Sequence, residues 1–128
     1  MLEANVVLSP ARPGRKIKSS TSRTPKAQPE KEIQAEIIRW LEARPDTIVN
    51  RRQSGTLITW QGYHIRLAQA GSPDLEVKLV GGRTLDIEVK SATGRVSPEQ
   101  KEMLERLHLM GHEAIVVRSL KEVQEYLT

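Results

Sequence analysis

Apolar residues along this chain recur at two different spacings, and the switches between them outline its elements. From Glu30 to Arg44, Ile33, Ile37, Ile38, Trp40 and Leu41 repeat at helical spacing until Pro45 ends the run. Thr47–Val49 opens an extended segment that leads to Asn50, Arg51 and Arg52. Leu57–Trp60 and Tyr63–Leu67 flank Gln61-Gly62 and predict a hairpin. A second hairpin is predicted where Asp74–Val80 and Arg83–Lys90 alternate apolar and polar residues around Gly81-Gly82. Ser97-Pro98-Glu99-Gln100 starts a helix: serine caps, proline suits the first turn, and glutamine three residues on completes a capping box. Met103, Leu104, Leu107 and Met110 form its apolar stripe, and Gly111 stops it. Ala114–Val117 is a short buried strand, and Ser119 with Glu122 predicts another capping box for a last helix carrying Leu120, Val123 and Leu127. The order α, β-rich middle, α, β, α predicts a small α/β domain with a mixed sheet flanked by helices.

Alternation on the second hairpin concentrates the chemistry. Leu85, Ile87 and Val89 point to one face, Asp86, Glu88 and Lys90 to the other. The strand before it opposes Leu75, Val77 and Leu79 to Asp74, Glu76 and Lys78, so Asp-x-Glu-x-Lys is written twice, 12 residues apart. Pooled, these acids suit a hard divalent cation, which prefers oxygen ligands. Whether they share a face depends on the turn. A two-residue Gly81-Gly82 loop would set Asp74 opposite Val89 and split the acids between faces. A three-residue loop or a bulge aligns them, and that is the expectation. Glu76, Lys78 and Asp86 are read as a solvated face.

Composition narrows the class. Across 128 residues there is no Cys, which excludes disulfides, a thiolate zinc site and a cysteine nucleophile. No apolar run approaches the roughly 20 residues needed to span a bilayer, and no signal-like segment opens the chain. A soluble, cytoplasmic protein without a membrane partner is expected, in a bacterial or phage-infected cell. The net charge of +4 is unevenly placed. Residues 1–29 hold six bases, among them Lys16 and Lys18, against one acid, with four prolines; residues 30–128 carry 14 bases and 15 acids. The division is thus a disordered basic arm over 1–29 and a folded domain over 30–128.

Gly71-Ser72-Pro73-Asp74, thirteen intervening residues and then Glu88-Val89-Lys90 resembles the proline–aspartate … acid–x–lysine, or PD-(D/E)xK, motif of restriction-endonuclease-like phosphodiesterases. Ser91 to Gln100, a short glycine-containing loop followed by a helix opening Ser-x-x-Gln, sharpens the resemblance to the virus-type replication-repair nuclease (VRR-NUC) domain. Gly111–Ser119 resembles that family's closing strand, and Glu36 and Asn50-Arg51 resemble its upstream part. The similarity spans roughly residues 32–127; the Leu57–Leu67 insert has no counterpart in the motif.

The resemblance implies a restriction-endonuclease-like core and a Mg²⁺- or Mn²⁺-dependent endonuclease acting on DNA. Asp74 and Glu88 would hold the ion with the Val89 carbonyl, and Glu36 would reach it through water. Lys90 would serve the attacking water and the phosphate. Gln100 would touch the site, although its capping box already accounts for it. Arg51, Arg52 and Arg95, with Lys16 and Lys18 of the arm, are candidates for gripping phosphates. Resemblance to resolvases points further, to branched or otherwise non-B-form DNA such as a Holliday junction, to DNA repair, and to a homodimer whose two-fold axis matches a four-way junction. No small-molecule organic cofactor is implied. Competing readings are an inactive DNA-binding or scaffold domain of the same fold, a restriction-type enzyme, and an RNA-directed nuclease. His108 and His112 are four apart, but Gly111 separates them and the plainer account is a histidine near a helix C-terminus. Trp60 and Tyr63 are expected to face each other across their turn in a core or dimer contact, with base stacking second.

Overall fold

The computed structural model describes residues 27–53 and 55–128. Most of the expected basic arm, Lys16 and Lys18 included, lies outside them. Helix α1 (Glu30–Glu42) leads into β1 (Thr47–Arg51); β2 (Thr56–Ile58) and β3 (His64–Arg66) follow, then β4 (Leu75–Leu79) and β5 (Thr84–Val89). Helix α2 (Pro98–Leu109), β6 (Glu113–Val117) and α3 (Leu120–Leu127) complete the chain. The main sheet has the order β1-β4-β5-β6 and is mixed: β1, β4 and β5 are antiparallel neighbours, while β5 and β6 run parallel. A parallel pair needs a crossover, and α2 supplies it. The architecture is the α/β, restriction-endonuclease-like core with helices on both faces of the sheet.

The core occupies one face of that sheet. Ile33, Ile37 and Leu41 of α1 are one turn apart and pack with Leu75, Val77, Leu85, Ile87, Val89, Val117 and Val123. Burying a side chain of this size is worth about 1.5–3 kcal/mol, so the cluster is the main source of stability. Helix α1 stops two residues earlier than expected, and its last turn is held at the Leu41 carbonyl, which accepts both the Arg44 N–H at 3.0 Å and the buried Thr47 hydroxyl at 2.7 Å. Helix α2 packs against β6, with Leu104 and Ala114 buried, on the opposite face, to which Asp86 and Glu88 of β5 point. Met110, expected in its stripe, is 68% exposed because the helix ends at Leu109 and the chain turns at Gly111.

The turn between β4 and β5 has odd length, as expected. Leu79 N–H donates to the Arg83 carbonyl, leaving Val80-Gly81-Gly82 as a three-residue loop. Both glycines have positive φ (86° and 78°), a region costly for other residues. The register that follows pairs Glu76 with Asp86 and Leu75 with Ile87, and carried one residue on it sets Asp74 opposite Glu88. The acids of the two strands therefore share a face.

Candidate active site

Asp74 and Glu88 meet where β4 begins and β5 ends. The Asp74 carboxylate accepts a 2.9 Å hydrogen bond from the Val89 N–H, so the side chain caps the end of the ladder where no backbone partner remains. A strand residue sends N–H and C=O to the same side, which aims the Val89 carbonyl toward Asp74 as well. Glu88 is 2% exposed. One of its oxygens, Oε2, accepts from the Gln100 side chain at 3.0 Å and lies 3.9 Å from the Lys90 ammonium. The other, Oε1, is buried without a hydrogen-bond partner, and the carboxyl group has Asp74 as a neighbour. A buried polar atom left this way is expensive unless something else serves it. Burial first, and then the Asp74 charge, push the Glu88 carboxyl up from 4.5 to about 8.

Helix α2 is fixed against this pair by its own start. Ser97 caps the Gln100 N–H at 3.1 Å, and the Gln100 side-chain oxygen accepts from the Ser97 N–H at 2.9 Å. The same amide turns its NH₂ to Glu88, so capping and site contact are two ends of one side chain. Gly71, just upstream of Asp74, runs so close to α2 that an added Cβ would lie 2.3 Å from the Glu99 carbonyl oxygen. On the other side, Arg118 donates to the carbonyls of Ser91 (2.6 Å) and Gly94 (2.7 Å), tying down the loop that follows Lys90.

Glu36 and Arg52 have partners of their own within the chain. Glu36 is bonded by Gln28 at 2.8 Å, and the α1 acid whose charge reaches Glu88 is Glu30 in the first turn. At 100° per residue, Glu30 and Gln34 share one flank of the buried stripe and Glu36 lies on the other. Gln34 lines an open groove with Arg51, Gln53 and Asp74, a placement sequence reasoning missed and helical phase could have found. Arg52, expected to grip phosphate, is committed within the protein: its guanidinium donates to the Pro73 carbonyl at 3.0 Å and pairs with Asp86 (3.3 Å) and Glu76 (3.6 Å). That pairing explains why Asp86, read as solvated, is 8% exposed. Arg51 and Arg95 are exposed. His108 bonds the Ala114 carbonyl at 2.7 Å.

A divalent ion fits this chemistry. Two carboxyl groups face each other, one Glu88 oxygen has no hydrogen-bond partner, and the Val89 carbonyl is aimed to the same side as its N–H. Among the described residues no third His, Cys, Asp or Glu completes a cluster. Mg²⁺ is ordinarily held by one or two carboxylates plus substrate phosphate and water, so none is required.

A mixed four-stranded sheet between helices, with an acid pair and a lysine at one end, is the arrangement of a small nuclease domain. The VRR-NUC domain family model matches residues 16–121. One solved structure, described as a VRR_NUC domain, is 28% identical and superposes with a TM-score of 0.57 over 77% of this chain and 92% of its own. A second, a VRR_NUC domain protein, is 23% identical with a TM-score of 0.53 over 80% and 87%, a likeness of fold. Comparison with curated proteins gives no significant match. The chain belongs to the VRR-NUC domain family of nucleases. Among the described residues no helix is long and apolar enough to cross a membrane.

Proposed function

We propose that the protein is a Mg²⁺- or Mn²⁺-dependent endonuclease that hydrolyses phosphodiester bonds in DNA, selecting branched or otherwise non-B-form structures, and that it works as a homodimer. The observation that carries the reading is the buried Glu88 carboxylate facing Asp74 with Oε1 unserved, a pair that is strained without a cation and satisfied by one. Asp74, Glu88 and the Val89 carbonyl would hold the ion. When bound, it supplies an acidified water and positive charge at the scissile phosphate. Lys90, tethered next to Glu88, is placed to orient that water and to offset charge building on the phosphate oxygens. Gln100 holds Oε2 of Glu88, which would leave Oε1 for the ion. The N-terminus of α2 adds partial positive charge on the same side. Arg51, exposed beside the Asp74 groove, and Arg95, exposed on the loop after Lys90, would steady the backbone of the substrate. With a folded body near neutrality, selection by DNA shape is favoured over sequence reading across a broad basic platform.

The test is cleavage of single strands, duplex, flaps and four-way junctions with Mg²⁺ or Mn²⁺, beside Glu88→Ala, with light scattering for the oligomeric state. Branched substrates cut by the wild type and spared by Glu88→Ala support the reading. Equal cutting by both sinks the site, and no cutting of any substrate with either metal favours an inactive scaffold.

A further inference from the structure

The segment between β1 and β4 is unlike the rest of the domain. From Thr47 to Pro73 there is no acidic residue, while Arg51, Arg52, His64 and Arg66 fall within it. The remainder of residues 30–128 carries 11 bases and 15 acids. Part of this stretch forms the separate β2–β3 hairpin, which carries His64 and Arg66, and residues 67–72 link its return strand to Pro73-Asp74. It buries almost nothing. Leu57, Ile58, Ile65 and Tyr63 are all exposed, and Trp60 is 92% exposed. The core contact expected for Trp60 is therefore corrected, as is its pairing with Tyr63: Thr59 is the partner of Tyr63, and Trp60 sits in a three-residue turn.

That turn is nonetheless built. Thr59 N–H donates to the Tyr63 carbonyl at 2.8 Å, Gly62 N–H to the Thr59 carbonyl at 2.8 Å, and Tyr63 N–H to the Thr59 hydroxyl at 3.0 Å. Thr56↔Arg66 and Ile58↔His64 fix the register below it. Among the described residues, this indole, held in water on a hydrogen-bonded tip with Arg66 on its stem and Arg51 at the end of β1, packs against no core. A negatively charged polymer that also offers flat apolar faces supplies both halves of the match: phosphates for the arginines and unpaired bases for the ring. Duplex DNA hides its base faces, so the fit is to a strand with bases out of the stack.

We infer that the β2–β3 hairpin is a base-stacking arm, which holds unpaired nucleotides of DNA on Trp60 and Tyr63 while Arg51 and Arg66 contact the flanking phosphates, next to Asp74. The inference deepens the proposed function by naming the feature of the substrate that is recognised, and its readout is binding, so it stands or falls apart from cleavage. Trp40, the other tryptophan, lies under the Arg44 guanidinium at 4.7 Å and is partly buried, which makes Trp60 the reporter.

The experiment titrates the full chain in EDTA with a short mixed-sequence single strand, a forked duplex and a blunt duplex, reading tryptophan fluorescence and anisotropy of labelled DNA. The expected result is quenching by the single strand and the fork but not by the blunt duplex. Trp60→Ala should weaken binding to the first two about tenfold, the ordinary contribution of stacking one base, with little change for the duplex. Trp60→Phe should recover most of the loss. Equal weakening for all three probes, or no weakening, overturns the inference. So does a dimer that falls to monomer in Trp60→Ala, since the arm would then be occupied by a second copy. If binding behaves as expected while no substrate is cut with either metal, the arm stands and the proposed catalysis fails. Circular dichroism should show Trp60→Ala folded, because the ring touches no core.

Discussion

Replacing Gly71 with alanine tests how the acid pair and helix α2 are held together. Gly71 has φ +81°, and a Cβ there would sit 2.3 Å from the Glu99 oxygen, 2.6 Å from its carbonyl carbon and 3.0 Å from the Gln100 nitrogen. All three are backbone atoms in the first turn of α2, so no side chain can swing aside. Carbon contacts settle near 3.5–4.0 Å, which requires the turn to retreat by roughly 1 Å. A left-handed conformation costs a non-glycine residue about 1–2 kcal/mol, and forced overpacking about 1–3 kcal/mol more. Reduced freedom of the unfolded chain returns about 0.4–1 kcal/mol. The expected loss is about 1–4.5 kcal/mol. For a domain of this size that lowers the melting temperature by at least about 4 °C. Gly81→Ala is the control: its φ is +86°, yet nothing lies within 4 Å of an added Cβ, so it suffers the backbone strain alone. Thermal unfolding followed by circular dichroism compares the two. If Gly71→Ala melts no lower than Gly81→Ala, the close approach of the Gly71 segment to α2 is not holding the site.

Three further outcomes are expected. In EDTA, the raised Glu88 carboxyl makes stability fullest below 4.5 and erodes it as pH rises toward about 8, because the unfolded chain ionises there first. Glu88→Gln should lose that slope and exceed the wild type at pH 8.5, and parallel urea midpoints at pH 5 and 8.5 for the two proteins would refute it. Arg52→Ala strands Asp86 against Glu76 and should cost about 2–3 kcal/mol, largely recovered by adding Asp86→Asn; additive losses in the double-mutant cycle would show the pair is not coupled. Arg118→Ala frees the Ser91 and Gly94 carbonyls, so amide exchange should rise in residues 91–96 with about 1–2 kcal/mol lost overall. Unchanged exchange there would show the loop holds itself.

Much of the fold was written locally. Alternation with an odd-length turn gave the aligned acids of β4 and β5, and Ser97-Pro98-Glu99-Gln100 marked the start of α2 to the residue. Both signals act within a few positions of the chain. The Arg52–Asp86 pair was not legible, because the two residues are 34 positions apart and nothing near either announces the pair. The flank of α1 on which Glu36 lies was not legible, because a helix with several acids needs its phase fixed by the packing of Ile33 and Ile37. The apolar residues of β2 and β3 resembled a buried hairpin, since spacing reports a face but not whether anything covers it. The exposed arm and the unserved Glu88 oxygen became visible only with coordinates.

The three-residue turn also has a kinetic meaning. Asp74 and Glu88 are brought together by one tight hairpin, whose closure needs no other part of the domain and belongs to the microsecond class of events. Two carboxylates that repel each other are thus placed on the most local pairing of the sheet, before α2 can bring Gln100 to either of them. Refolding in EDTA should therefore slow as pH rises from 6 to 9 in the wild type and stay level in Glu88→Gln, if this hairpin belongs to the folding nucleus. A stopped-flow series showing no such difference would place its formation after the rate-limiting step.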